Sequence, residues 1–100
     1  MTPLEKDIER KLRQMVEDHG GLCLKWVCPG GAGVPDRIAL LPGGRIVFVE
    51  LKRPGGRVSK MQEWWMAKLC RLDFDCMVVW NEGDLSLFKE WFLLGEEGEK

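Results

Sequence analysis

A chain of 100 residues with 45% hydrophobic and 31% charged side chains is too short for two self-sufficient cores and too apolar for disorder, so one domain over residues 1–100 is expected. No apolar run approaches the ~20 residues of a membrane span, and the opening residues do not pass from basic to apolar as a secretion signal does, so a cytoplasmic setting without a membrane partner is expected. The net charge of −1 excludes bulk attraction to nucleic acid but hides an asymmetry: residues 45–71 carry seven basic and two acidic side chains, and residues 72–100 carry two and eight.

Thr2 as N-cap, Pro3 at the first helical position and Glu5 completing a capping box predict a helix over about residues 3–19, stopped by the Gly20-Gly21 pair. At ~100° per residue, Leu4, Met15, Ile8, His19, Leu12, Glu5 and Val16 share the arc that should face the core. Asp7, Glu17 and Asp18 point outward and Glu9 sits at the margin, so Glu5 is the acid of this helix with a route to a site as well as a capping role.

Leu22, Leu24 and Trp26 alternate with Cys23, Lys25 and Val27 as a strand does, and Pro29-Gly30-Gly31-Ala32-Gly33 follows as a loop. The apolar runs Asp36 to Leu41 and Arg45 to Lys52 are separated by Pro42-Gly43-Gly44, which suits a tight hairpin with Gly44 in the left-handed conformation. After Pro54-Gly55-Gly56, Ser59 as N-cap and Gln62 three residues later predict a second helix over about 60–72. Phe74 to Trp80 reads as a fourth strand, Asp84 as the cap of a last helix through about Leu94, and residues 95–100 as a frayed acidic tail. The order αβββαβα predicts a mixed sheet of about four strands covered by helices, with Ile46 to Leu51 near its centre because both its faces are apolar.

Alternate strand residues share a face, so Ile46, Phe48, Glu50 and Lys52 point one way and Val47, Val49 and Leu51 the other. If Pro42 to Gly44 form the loop, Leu41 faces Arg45, Ile38 faces Phe48 and Asp36 faces Glu50. Two directly opposed carboxylates repel unless something neutralises them, and Lys52 one step along offsets only part of that. A divalent cation is the natural neutraliser; a structural ion pair with Lys52 is the plainer reading, and a bulge at Gly44 would move Asp36 to the other face.

Gly33-Val34-Pro35-Asp36-Arg37, then Phe48-Val49-Glu50-Leu51-Lys52, with Gln62 in the next helix and Glu5 in the first, resembles the VRR-NUC (virus-type replication-repair nuclease) family of the PD-(D/E)-x-K nuclease superfamily, in its small stand-alone phage-type form. The likeness runs from about Thr2 to Trp80. It implies a restriction-endonuclease-like α/β core and a Mg²⁺- or Mn²⁺-dependent endonuclease acting on branched DNA such as four-way (Holliday) junctions, in the host cytoplasm if the chain is viral.

The same resemblance implies that Asp36, Glu50 and the main-chain carbonyl of Leu51 hold the metal, that Lys52 orients the attacking water and screens developing charge, that Glu5 anchors a second metal or its water shell, and that Gln62 orients the lysine or the phosphate. Gln62 has a capping-box role as its plainer reading. Gly30 to Gly33 lacks the ending of a Walker loop and reads as a lip near the DNA backbone or as a plain loop. Lys25, Arg37, Arg53, Arg57 and Lys60 are candidate phosphate contacts, each individually indistinguishable from an ordinary surface charge.

Trp26, Trp65 and Trp80 are expected in the core, whereas Trp64 with Met66 makes the second helix apolar over more than one face and suggests a partner surface, that of a homodimer. Cys23, Cys28, Cys70 and Cys76 lack zinc-knuckle spacing and are expected as reduced, mostly buried thiols. A single histidine, His19, and the absence of tyrosine exclude multi-histidine nucleases and tyrosine recombinases. The alternatives are a nuclease of linear or flap DNA, a catalytically silent nucleic-acid-binding module, and a small protein-interaction domain built on the Trp-rich helix.

Overall fold

Seven elements follow the predicted order, the last prolonged by a π-helical segment, in a computed structural model that describes residues 3–94. They are α1 (Pro3–Asp18), β1 (Leu22–Lys25), β2 (Arg37–Leu41), β3 (Arg45–Leu51), α2 (Lys60–Arg71), β4 (Asp75–Val79), α3 (Glu82–Phe88) and a π-helical continuation, Lys89–Leu94. The Thr2 cap and the acidic tail of residues 95–100 lie outside the described residues.

The strands lie in the order β1-β2-β3-β4, antiparallel between the first three and parallel between β3 and β4, so β3 is an inner strand. The hairpin register is the one its loop length requires: Leu41 opposes Arg45, Leu40 opposes Ile46 and Ile38 opposes Phe48. Gly43 and Gly44 both take positive φ, 83° and 76°, in the turn between them. No bulge shifts the pairing.

Each face of β3 is covered by a different layer. Val47, Val49 and Leu51 join Ile8, Leu12 and Val16 of α1 and Leu85 and Phe88 of α3 in one apolar cluster. Full burial of each such aliphatic side chain is worth about 1.5–3 kcal/mol relative to exposure, which is what holds the helices down. On the other face Phe48 packs against Trp26 and Phe74, and Trp26 meets Trp65 of α2, with ring centroids 5.2–5.7 Å apart. Trp26 and Trp65 are partly rather than fully buried.

Several expectations are corrected. The last helix is capped by Asn81, whose side chain accepts from the Asp84 N–H at 2.9 Å; Asp84 instead accepts from the Trp80 N–H at 2.8 Å. Leu4 lies on the predicted arc of α1 yet is 64% exposed, because the helix starts beyond the edge of the core. Trp80 is half-buried and lines a cavity rather than the core. Of the thiols only Cys23 is buried, and Cys70 is exposed. Leu22 and Leu24 are also exposed, because the Trp65 ring of α2 reaches Trp26 just beyond β1 and the face of β1 itself stays open.

Candidate active site

The approach to the site is built by the segment before β2. Gly33 sits at φ +87°, and a Cβ there would lie 2.8 Å from the backbone of Met61 and 3.0 Å from the Gln62 nitrogen, so only glycine lets this loop rest on the first turn of α2. Trp65 Nε1 of α2 donates to the Ala32 carbonyl at 3.1 Å and closes the same contact. Pro35 is fully buried, and Asp36 follows it immediately. The loop is thus seated against the helix that carries Gln62.

Asp36 stands one residue ahead of β2, whose ladder with β3 begins at Arg37 opposite Val49. One further step in the same register brings Asp36 level with Glu50, and its Oδ2 accepts from the Leu51 N–H at 2.8 Å. Its carboxyl is raised above the usual aspartate range, first by burial; the Leu51 N–H and the Lys52 charge act in the opposite direction.

Glu50, at the carboxyl end of β3, is the one charged side chain in the buried interior of the described residues, only 2% exposed. Burial first, and then the Asp36 charge, push its carboxyl up to about 7, against the stabilising effect of Lys52. Lys52 Nζ lies 3.5 Å from Glu50 Oε2, and the same oxygen accepts from Gln62 Nε2 at 2.6 Å. Glu50 Oε1 is buried with no hydrogen-bond partner.

Gln62 makes the capping box that its spacing suggests, and its side-chain amide donates to Glu50 rather than orienting Lys52. Its Oε1 accepts from the Ser59 N–H at 2.8 Å while its own N–H donates to Ser59 Oγ at 3.1 Å, a complete capping box, and its Nε2 holds Glu50. The cap fixes the direction of the amide, so helix geometry positions the carboxylate.

Glu5 and Lys52 line the same cavity, and the Glu5 charge contributes to raising Asp36. Among the described residues, however, no group of three or more His, Cys, Asp and Glu side chains is placed to hold a metal ion, so Glu5 is not gathered with Asp36 and Glu50. Lys25, Arg53, Arg57 and Lys60 are exposed. Arg37 is committed elsewhere: its Nε and Nη2 both lie 2.9 Å from Glu9 Oε2, and its Nη1 donates to the Cys23 carbonyl at 3.3 Å. Glu9, at the margin of the predicted arc, is legible in the sequence as neither core nor surface, and the basic Arg37 just after Asp36 is the only signal of its partner.

The donors present suit a hard divalent cation. Both carboxyls are raised, each first by burial and Glu50 also by the Asp36 charge, and one buried Glu50 oxygen has nothing to bind. Hard cations take oxygen ligands and favour the ionised form of carboxyls that burial raises.

Known proteins resemble this chain in sequence and in fold. The sequence profile of the VRR-NUC domain matches residues 5–80. A protein of Acyrthosiphon pisum secondary endosymbiont phage 1, "Putative nuclease p44", is 42% identical over 82 residues, spanning 82% of this chain and 87% of its own. A solved structure described as "VRR_NUC domain" superposes with a TM-score of 0.84 at 24% identity, covering 91% of this chain and 99% of that one, and supports the fold.

Proposed function

The chain belongs to the VRR-NUC domain family of nucleases, and from that premise we propose that it is a Mg²⁺- or Mn²⁺-dependent, structure-selective DNA endonuclease acting on branched DNA such as four-way junctions. The observation that carries this reading is the buried Glu50 beside the partly buried Asp36, with Glu50 Oε1 partnerless and Lys52 3.5 Å from Glu50. Binding alone gives no reason to gather two carboxylates where a phosphate is to sit.

Asp36, Glu50 and the main-chain carbonyl of Leu51 would hold the cation, and Glu5 would act at a distance, through its water shell. When bound, a divalent ion polarises the scissile phosphate, promotes ionisation of water and stabilises the leaving oxygen. Gln62 keeps Glu50 oriented toward the site. Lys52 aligns the attacking water with the phosphorus and screens the charge that builds on the phosphoryl oxygens. As the new P–O bond forms, the old one breaks and the leaving oxygen takes up a proton. Lys25, Arg53, Arg57 and Lys60, all exposed, are the proposed contacts to backbone phosphates.

Resolving a symmetric junction needs two active sites, and a two-fold homodimer is the commonest way for a small domain to supply them. Trp64, Trp91 and Leu94 are exposed apolar residues available for that contact. Cleavage of end-labelled four-way junctions, flaps and linear duplexes with Mg²⁺ and with EDTA tests the proposal, with sedimentation on the same protein. Metal-dependent, junction-preferring cleavage by a dimer is the expected result. A monomer that prefers linear ends defeats the junction and dimer assignments, and cleavage undiminished in EDTA defeats the metal assignment.

A further inference from the structure

Beside Lys52 and Glu5 a cavity of about 450 Å³ opens beyond the carboxyl ends of the parallel strands β3 and β4, where the loops after Leu51 and Val79 diverge. Its size falls within the range of small-molecule pockets, about 300–1,000 Å³, and its position is one where open sheets containing parallel strands bind ligands. Leu4, Ile8, Pro54 and Trp80 form its apolar wall.

Trp80 differs from the other aromatic residues. Of nine aromatic side chains, the other eight each make a ring-to-ring contact, and Trp80 makes none among the described residues. Its backbone is anchored, since its N–H donates to Asp84 Oδ2, so the unstacked indole is carried on a fixed support at the cavity.

The charged residues around the cavity are of both signs. Lys52 and Arg53 line it together with Glu5, Asp7 and Glu82, of which Asp7 and Glu82 are ion-paired with Lys11. An acidic wall disfavours a phosphate inside the cavity. A neutral planar ring with polar edges meets all three surfaces: the indole for stacking, acidic oxygens for exocyclic amino groups, and cations for the phosphate that adjoins it.

We propose that this cavity receives an unpaired nucleobase of the DNA strand being cut, stacked on Trp80, while the adjoining phosphate lies at Lys52 and Arg53. The proposal rests on the nuclease reading and gives its selectivity a source. A base within a duplex must be unpaired and unstacked to enter, and that cost is smallest at a branch, flap or mismatch.

Binding without turnover tests it. The full chain in EDTA is titrated with a DNA duplex bearing one unpaired 2-aminopurine nucleotide, and with the same duplex made abasic at that position. Wild-type protein is expected to quench the 2-aminopurine fluorescence and to bind the base-bearing DNA about tenfold more tightly than the abasic one. Trp80→Ala should bind both alike, and Trp80→Phe should keep most of the preference. Equal wild-type affinity for the two DNAs, or a preference that survives in a folded Trp80→Ala, overturns the proposal. If Trp80→Ala does not fold, the wild-type abasic comparison and Trp80→Phe decide it. Cleavage of the same DNAs in Mg²⁺ separates the two readings. Base preference without cleavage of any DNA keeps the cavity and defeats the nuclease, whereas cleavage without base preference does the reverse.

Discussion

Gln62 Nε2 donates to Glu50 Oε2 at 2.6 Å while the other end of the same amide closes the cap of α2. The two functions separate by substitution. Gln62→Glu retains a residue that suits a capping box but places a second carboxylate against Glu50; Gln62→Ala removes both contacts. Circular dichroism melts should show Gln62→Ala destabilised by about 1–2 kcal/mol, and cleavage assays should show both variants impaired. Full activity in Gln62→Glu would mean that the amide acts only as a cap.

Stability of the metal-free protein should fall as pH rises. Glu50 titrates at about 7 in the fold against 4.5 when unperturbed, and Asp36 is shifted in the same direction. Between those values the folded chain holds more protons than the unfolded one, so ΔG of unfolding decreases with rising pH across roughly pH 4.5 to 7. The loss for Glu50 is on the order of 3 kcal/mol. Thermal melts in EDTA over this window should show the decline, Glu50→Gln should flatten it, and Mg²⁺ should offset it. A pH-independent melting temperature in the metal-free wild type would contradict the raised Glu50 carboxyl.

Gly33→Ala should cost more than Gly30→Ala. Both positions have positive φ, but a Cβ at Gly33 meets the Met61 backbone at 2.8 Å, whereas Gly30 has open space around it. Strain alone costs Gly30→Ala about 1 kcal/mol. Gly33→Ala adds displacement of the first turn of α2, so denaturant melts should show a larger loss and cleavage should fall with it as Gln62 moves. Equal and small effects at the two sites would show that the loop does not position the helix.

Legibility in the sequence tracks how local each signal is. The hairpin register is readable because Pro42-Gly43-Gly44 sets the loop length and side-chain alternation does the rest, and these two local features suffice to bring Asp36 level with Glu50. Ser59 and Gln62 are three apart, so their cap is equally readable. Asn81 and Asp84 are also three apart, and both are residue types that cap helices; only the turn geometry selects Asn81. The pairing of Glu9 with Arg37 spans α1 and β2, and the exposure of Leu4 and the placement of Trp80 depend on where a helix end and two loops part company. No periodicity encodes such tertiary relations.

Lys52→Ala should lower the turnover rate by about 10²–10³-fold with little change in DNA affinity, because its proposed work lies in the transition state. Single-turnover cleavage and filter binding measure the two separately. Equal loss of affinity and rate would make Lys52 a phosphate anchor only. Gln suits a capping box as Glu does, so a marked loss of rate in stably folded Glu5→Gln would place Glu5 in the catalytic apparatus, and unchanged kinetics would leave it outside.

The most direct measurement is single-turnover cleavage of a labelled four-way junction by folded Glu50→Gln, beside wild type, in saturating Mg²⁺. Replacing the carboxylate with an amide of nearly the same shape removes a metal-holding charge and leaves packing intact. The rate should fall by more than about 100-fold while junction binding and the melting temperature hold or rise. A Glu50→Gln protein that cleaves at near wild-type rate in Mg²⁺ would contradict the assignment of Asp36 and Glu50 as the catalytic pair.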